Sequence, residues 1–192
     1  MAIYNTGFDA ANTAVRAFLT KVGEHYLGRT FNTAAGAGRQ DWRHIKEEVF
    51  NNECAYCGTI KSSLQIEHLV MFNRTEYGLH HPGNVVPCCE NCNRRSKRED
   101  GTHATWEEHL LNVCQREGAT QEQFDFRRGR ILKHINDSDY KYPDLSAEEK
   151  HAIRVIANSL YENVKIELGK SLELYKELDL AFVKANPQLK EG

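Results

Sequence analysis

The chain has 192 residues, with 25 Lys plus Arg against 27 Asp plus Glu, a formal net charge of −2. An apolar fraction of 40% with 27% charged residues supplies a core and excludes disorder throughout. The absence of a long uninterrupted apolar run excludes an apolar membrane-spanning helix. The charge balance excludes a strongly basic nucleic-acid coat but not a local basic surface, since residues 1–98 carry a net +3 and the remainder is acidic. The opening MAIYNTGFDA lacks a basic segment followed by an apolar one, so the expected compartment is the cytoplasm.

In chain order, Asp9 is expected to cap a helix to Leu27, with Val15, Phe18, Leu19, Val22 and Tyr26 at helical spacing and Gly28 as its stop. Residues 29–39 read as a loop. Asp41 then opens a short helix carrying Trp42, Ile45 and Val49 on one face. The stretch from Leu64 to Val70 alternates as a strand, Val85 and Val86 form a second, and Glu90 to Arg98 reads as a helix. Capping boxes at Thr105/Glu108, Thr120/Gln123 and Ser146/Glu149 announce three further helices, the last long and amphipathic. Three segments result: an N-terminal helical segment (1–50), a cysteine-bearing core (51–100) and a C-terminal helical region (101–192).

Six cysteines without a secretory signal argue against a disulfide framework. Cys54 and Cys57 form one C-x-x-C, Cys89 and Cys92 another, with 31 residues between them. Two such knuckles read as a four-thiolate zinc site. Cys88 and Cys114 are left over and read as core.

Between the knuckles stand Glu67-His68, then Asn84 in GNVVP, and Asn93 follows Cys92 directly. Phosphodiester hydrolysis needs an activated water and neutralised phosphate charge. A histidine can take the proton near neutral pH, and carboxylate and amide oxygens suit a hard cation. In a strand, side chains 67 and 68 point to opposite faces, so one shared site requires a twist or bulge.

In these residues, over roughly positions 51–98, the chain resembles the HNH (ββα-metal) nucleases in their cysteine-bearing form. The resemblance implies a small ββα-metal core with structural zinc, flanked by N- and C-terminal helices, α+β and mainly α overall. It implies His68 as general base, Glu67 and Asn93 as ligands of a catalytic Mg²⁺ or Mn²⁺, and Asn84 as the residue that pins the loop between the strands. It further implies 5′-phosphate and 3′-hydroxyl ends. The family often has Asp where Glu67 stands and His where Asn93 stands. Arg94, Arg95, Lys97 and Arg98 then read as phosphate contacts to DNA.

The expected function is a metal-dependent DNA endonuclease of restriction or phage-defence type, with a homodimer through residues 146–180 as one possible assembly. The alternatives are a non-catalytic zinc-stabilised nucleic-acid-binding module, or a nuclease effector acting with a protein partner.

Overall fold

The computed structural model describes residues 6–137 and 139–184, with backbone alone at 183 and 184. Residues 1–5 of the stretch read for a secretion signal, residue 138 of the connector before the last helix, and the last eight residues of the C-terminal region lie outside the described residues. The described chain is mainly helical, with one two-stranded antiparallel sheet. None of its helices is long and apolar enough to cross a membrane.

Helix α1 (Gly7–Leu27) is capped by Thr6 rather than Asp9. The Thr6 hydroxyl oxygen accepts from the Asp9 amide, and Asp9 sits in the first turn, where a carboxylate favours the helix dipole. Helix α2 (Gly36–His44) begins inside the expected 29–39 loop and runs on as a π-helical turn, Ile45–Val49. Asp41 is therefore an interior helical residue, buried and paired with Arg29 at 2.6 Å, and caps nothing.

Strand β1 (Gln65–His68) pairs antiparallel with β2 (Val85–Cys88), with Glu67 opposite Val86 and His68 opposite Val85. β1 stops at His68 rather than Val70, since the ladder continues through Leu69 alone before the Asn84 side chain takes the next amide. Leu69 N–H donates to the Asn84 carbonyl, and Val70 N–H donates to the Asn84 side chain. A single 3₁₀ turn, Pro82–Asn84, leads into β2.

The expected helix over Glu90 to Arg98 is absent. The Cys92 and Asn93 amides both close onto the Cys89 carbonyl as a knuckle. The chain then runs extended, with Lys97 bridging to His103. Arg95, drawn inward beneath β1, holds the run in that course.

The three capping boxes all form. They start α3 (Trp106–Glu117), α4 (Gln121–Ile135) and α5 (Ala147–Leu178), which passes Gly169 unbroken.

Two apolar clusters hold these elements. One surrounds the hairpin and cysteines, with Phe31, Ile45, Phe50, Tyr56, Leu110 and Ile131. The other packs Ala11, Val15 and Leu19 of α1 against Ile153, Ala157 and Tyr161 of α5. The segment joining β1 to β2 spans both, with Leu69 in the first cluster and Leu79 in the second.

At Gly83 the backbone of residues 140–142 crosses the 3₁₀ turn so closely that a Cβ would stand 1.9 Å from the Tyr140 carbonyl oxygen. Gly83→Ala is expected to cost about 1–3 kcal/mol, from overpacking against backbone that cannot retreat. Gly129→Ala, in open space on α4, is expected to stabilise by roughly 0.5–1 kcal/mol. Urea unfolding of both variants checks the pair.

Candidate functional site

The sulfurs of Cys54, Cys57, Cys89 and Cys92 all lie within 4.8 Å of one another, and all four residues are buried. Cys57 and Cys89, from different knuckles, are 3.7 Å apart. A tetrahedron of Zn–S bonds has edges of about 3.8 Å, so the quartet fits a structural zinc ion. Local backbone explains the convergence. Gly58 N–H bonds back to the Cys54 carbonyl at the first knuckle, and Gly58 takes the left-handed conformation that this turn requires. Ala55 N–H reaches the Pro87 carbonyl and ties the first knuckle to β2. The Cys57 thiol beside Cys54 holds that sulfur below the usual thiol range, while Cys54 pushes Cys92 up. Cys54 likewise pushes Cys57 up, so the uncharged gathering of sulfurs favours one thiolate, at Cys54. Arg116 stands 3.8 Å from the Cys92 sulfur and adds positive charge. Cys88 and Cys114 are buried outside the quartet.

The hairpin divides the remaining site residues between two faces. Gln65 and Glu67 share one, and Ile66 and His68 share the other, by strand periodicity. No bulge interrupts the register to bring 67 and 68 together.

On the first face, the Glu67 carboxylate meets Arg95 Nε at 2.7 Å. This is a charge contact without an aligned hydrogen bond, and both atoms are buried. Burial pushes Glu67 above the usual carboxylate range, against the pull of Arg95. The rest of the Arg95 guanidinium donates to the carbonyls of His68 (2.8 Å) and Leu69 (2.8 Å) and to the Tyr56 hydroxyl oxygen (3.0 Å). Asn93 Nδ2 donates to Gln65 Oε1 at 2.7 Å.

On the second face, the His68 ring stacks on Phe72, with centroids 4.8 Å apart. Its Nε2 lies 3.0 Å from His80 Nδ1. Burial, helped by His80, pulls His68 down to about 3, so the imidazole is neutral at physiological pH. Asn84, 1% exposed, uses its whole amide. Oδ1 accepts from Val70 N–H, and Nδ2 donates to the Val70 and Leu79 carbonyls. It therefore closes the segment that carries Phe72 and His80 over His68. His134 of α4 supports it from behind. Its Nε2 is within reach of both the Pro82 and Val85 carbonyls, at 3.1 and 3.0 Å, so that nitrogen carries the proton.

Phe72 also forms part of the wall of a cleft of about 390 Å³ with Arg16, Arg74, Lys97 and His103. The cleft brings three cationic side chains beside the His68 stack. Asp9 lines it too.

Of the four basic residues singled out in the sequence, Lys97 alone lines this cleft. Arg94 is exposed, and Arg98 pairs with Glu108. Arg95 is the correction: its side chain is 2% exposed and faces inward, so it cannot reach a phosphate. Sequence reading takes His80 as a loop residue and misses His134, Arg16 and Arg74. The pair His80-His81 directly before Pro82-Gly83-Asn84 was the one local signal. Arg16 lies on α1, far from any motif.

As placed, Glu67 and Asn93 do not fit a hard cation. One is paired with a guanidinium and the other presents its amide nitrogen to Gln65. Among the described residues, the cysteine quartet is the one cluster of three or more His, Cys, Asp or Glu side chains arranged to hold a metal. Comparison with protein-family models, with curated proteins and with solved structures finds no match to this chain.

Two outcomes are expected. Cys57→Ser loses the metal and more than about 4 kcal/mol of stability, as loss of a structural metal does, whereas Cys88→Ser retains the metal; metal analysis beside thermal unfolding distinguishes them. Separately, burial holds His68, His80, His81, His109 and His134 below the usual histidine range. The unfolded chain then binds more protons than the fold, so these groups stabilise fully above about pH 6.5 and lose that contribution as pH falls. Urea midpoints measured downward from pH 7 should decline.

Proposed function

We propose that the chain is a metal-dependent HNH-type endonuclease that hydrolyses DNA phosphodiesters, in a restriction or phage-defence role. The observation that carries this reading is the neutral His68 stacked on Phe72, whose ring also walls a cleft bearing Arg16, Arg74 and Lys97. The three cations hold strand phosphates. His68 takes the proton of the water that attacks phosphorus, and the bond to the 3′ oxygen breaks, leaving 5′-phosphate and 3′-hydroxyl ends. Asn84 keeps the segment over His68 in place. Zinc in the cysteine quartet is structural. A catalytic Mg²⁺ or Mn²⁺ would be held by Glu67 and Asn93 only if Glu67 left Arg95 and β1 twisted to bring it to the His68 face.

One observation favours a second reading. The Glu67–Arg95 pair occupies the carboxylate that a cation would need. If that pair never opens, the chain is a zinc-stabilised nucleic-acid-binding module.

Plasmid cleavage by wild type and His68→Ala, with Mg²⁺ or Mn²⁺ and with EDTA, separates the two. The nuclease reading expects cation-dependent nicking or linearisation that falls by about 10²–10⁴-fold in zinc-replete His68→Ala, the usual worth of a general base. Salt-sensitive DNA binding by wild type without cleavage, with either cation, supports the binding module instead.

A further inference from the structure

Hydrolysis of a phosphodiester moves two protons. One leaves the attacking water, and one joins the 3′ oxygen as it departs. His68 handles the first. The carboxylate that would help a cation meet the departing oxygen, Glu67, is paired with Arg95. The cationic cleft itself carries a group suited to the second proton.

Two tight turns build it. In the loop after β1, Asn73 Oδ1 accepts from the amides of Thr75 and Glu76, both at 2.8 Å, which fixes an Asx turn. Further on, Lys97 and His103 face each other across an antiparallel bridge, and Gly101 takes the left-handed conformation within the turn that joins them. The turns meet at one carboxylate oxygen. Glu76 Oε1 accepts from the His103 amide at 2.7 Å and lies 3.0 Å from His103 Nδ1. Burial opposes the charge on Glu76, but the Thr75 hydroxyl and the two His103 N–H groups prevail and hold it below the usual carboxylate range. An ionised carboxylate only accepts, so Nδ1 carries a proton. Asn73 Nδ2 stands 3.5 Å from the same nitrogen but is itself a donor, so that proton stays directed at Glu76.

Nε2 remains. Among the described residues it has no hydrogen-bond partner, and the ring, 17% exposed, lines the cleft with Arg16, Arg74 and Lys97. His68 differs on both counts. Its Nε2 is taken by His80 at 3.0 Å, and it borders the cleft only through Phe72.

Building on the nuclease reading, we infer that His103 is a second catalytic residue, the general acid that protonates the 3′ leaving oxygen of a DNA strand held in this cleft, with Glu76 as its positioning residue. As imidazolium, His103 keeps Nδ1–H on Glu76 and presents Nε2–H to the cleft. The bond from phosphorus to the 3′ oxygen breaks, its electron pair stays on that oxygen, and Nε2 gives the oxygen its proton. His68 holds the proton taken from water, so the exchange balances, and solvent returns both rings to their starting forms. Arg16, Arg74 and Lys97 meet the phosphate oxygens that do not leave. Glu76 settles which nitrogen of His103 faces the substrate.

The test uses the duplex that wild type cuts, made with sulfur in place of the 3′ bridging oxygen at the cut. A thiolate leaves without a proton. With Mn²⁺ throughout, His103→Ala is expected to lose about 10²–10⁴-fold on the oxygen substrate, the usual worth of a general acid, and to stay close to wild type on the sulfur substrate. Glu76→Gln should lose less, with the same split between substrates. His68→Ala should lose on both alike. Zinc content and helicity are measured on each variant, and His103→Gln, nearer in size, takes the place of His103→Ala if either is lost. Equal loss on both substrates, or no loss on either, overturns the general acid and leaves the nuclease reading standing. A wild type that cuts no DNA with Mg²⁺ or Mn²⁺ removes the nuclease reading and this role with it.

Discussion

The convergence of four thiols at one point is the constraint on which the hairpin depends. β1 and β2 are each four residues long and, among the described residues, pair only with each other. A two-stranded sheet of that size is marginal in water. The cysteine pairs sit outside its two strands, and an ion closing them together would convert a long, entropically costly connection into a fixed frame. The surrounding core belongs to that frame: Tyr56, between the first two cysteines, is buried against His109 of α3, whose ring nitrogen lies 2.7 Å from the Cys92 carbonyl.

Inside the frame, two polar residues hold what apolar packing cannot specify. Asn84 satisfies three backbone groups across the segment between the strands and so sets where Phe72 and His80 stand relative to His68. Arg95 does the same work on the opposite face, joining Glu67, the end of β1 and Tyr56 through one guanidinium. Both are buried, so removing either would leave backbone carbonyls or a carboxylate without partners, at a cost of about 1–3 kcal/mol for each neutral group. The consequence for chemistry is asymmetric. On the histidine face Phe72 also lines a cationic cleft, whereas the carboxylate face is closed by its own cation.

Features set by neighbours in sequence were legible. Thr105, Thr120 and Ser146 each cap a helix because the glutamate or glutamine three residues on completes the box locally. The cysteine knuckles are equally local, and the quartet they build is in place. The helix stop at Gly28 followed for the same reason. The misreadings share the opposite cause. Asp41 looks like a cap until Arg29 is seen to bury it. Arg95 looks like a solvated cation until Glu67 and two carbonyls claim it, and the helix expected from Glu90 is lost with it. Arg16 and Arg74 reach one cleft only because α1 and the segment after β1 are folded together, and no spacing records that.

The four sulfurs are placed to hold one metal ion that would organise this hairpin. Zinc K-edge X-ray absorption on the purified protein tests it most directly. Four sulfur scatterers at about 2.3 Å, with no nitrogen or oxygen in the first coordination sphere, is the expected spectrum. A site with histidine or carboxylate ligands, or protein that folds fully with no bound metal, would contradict it.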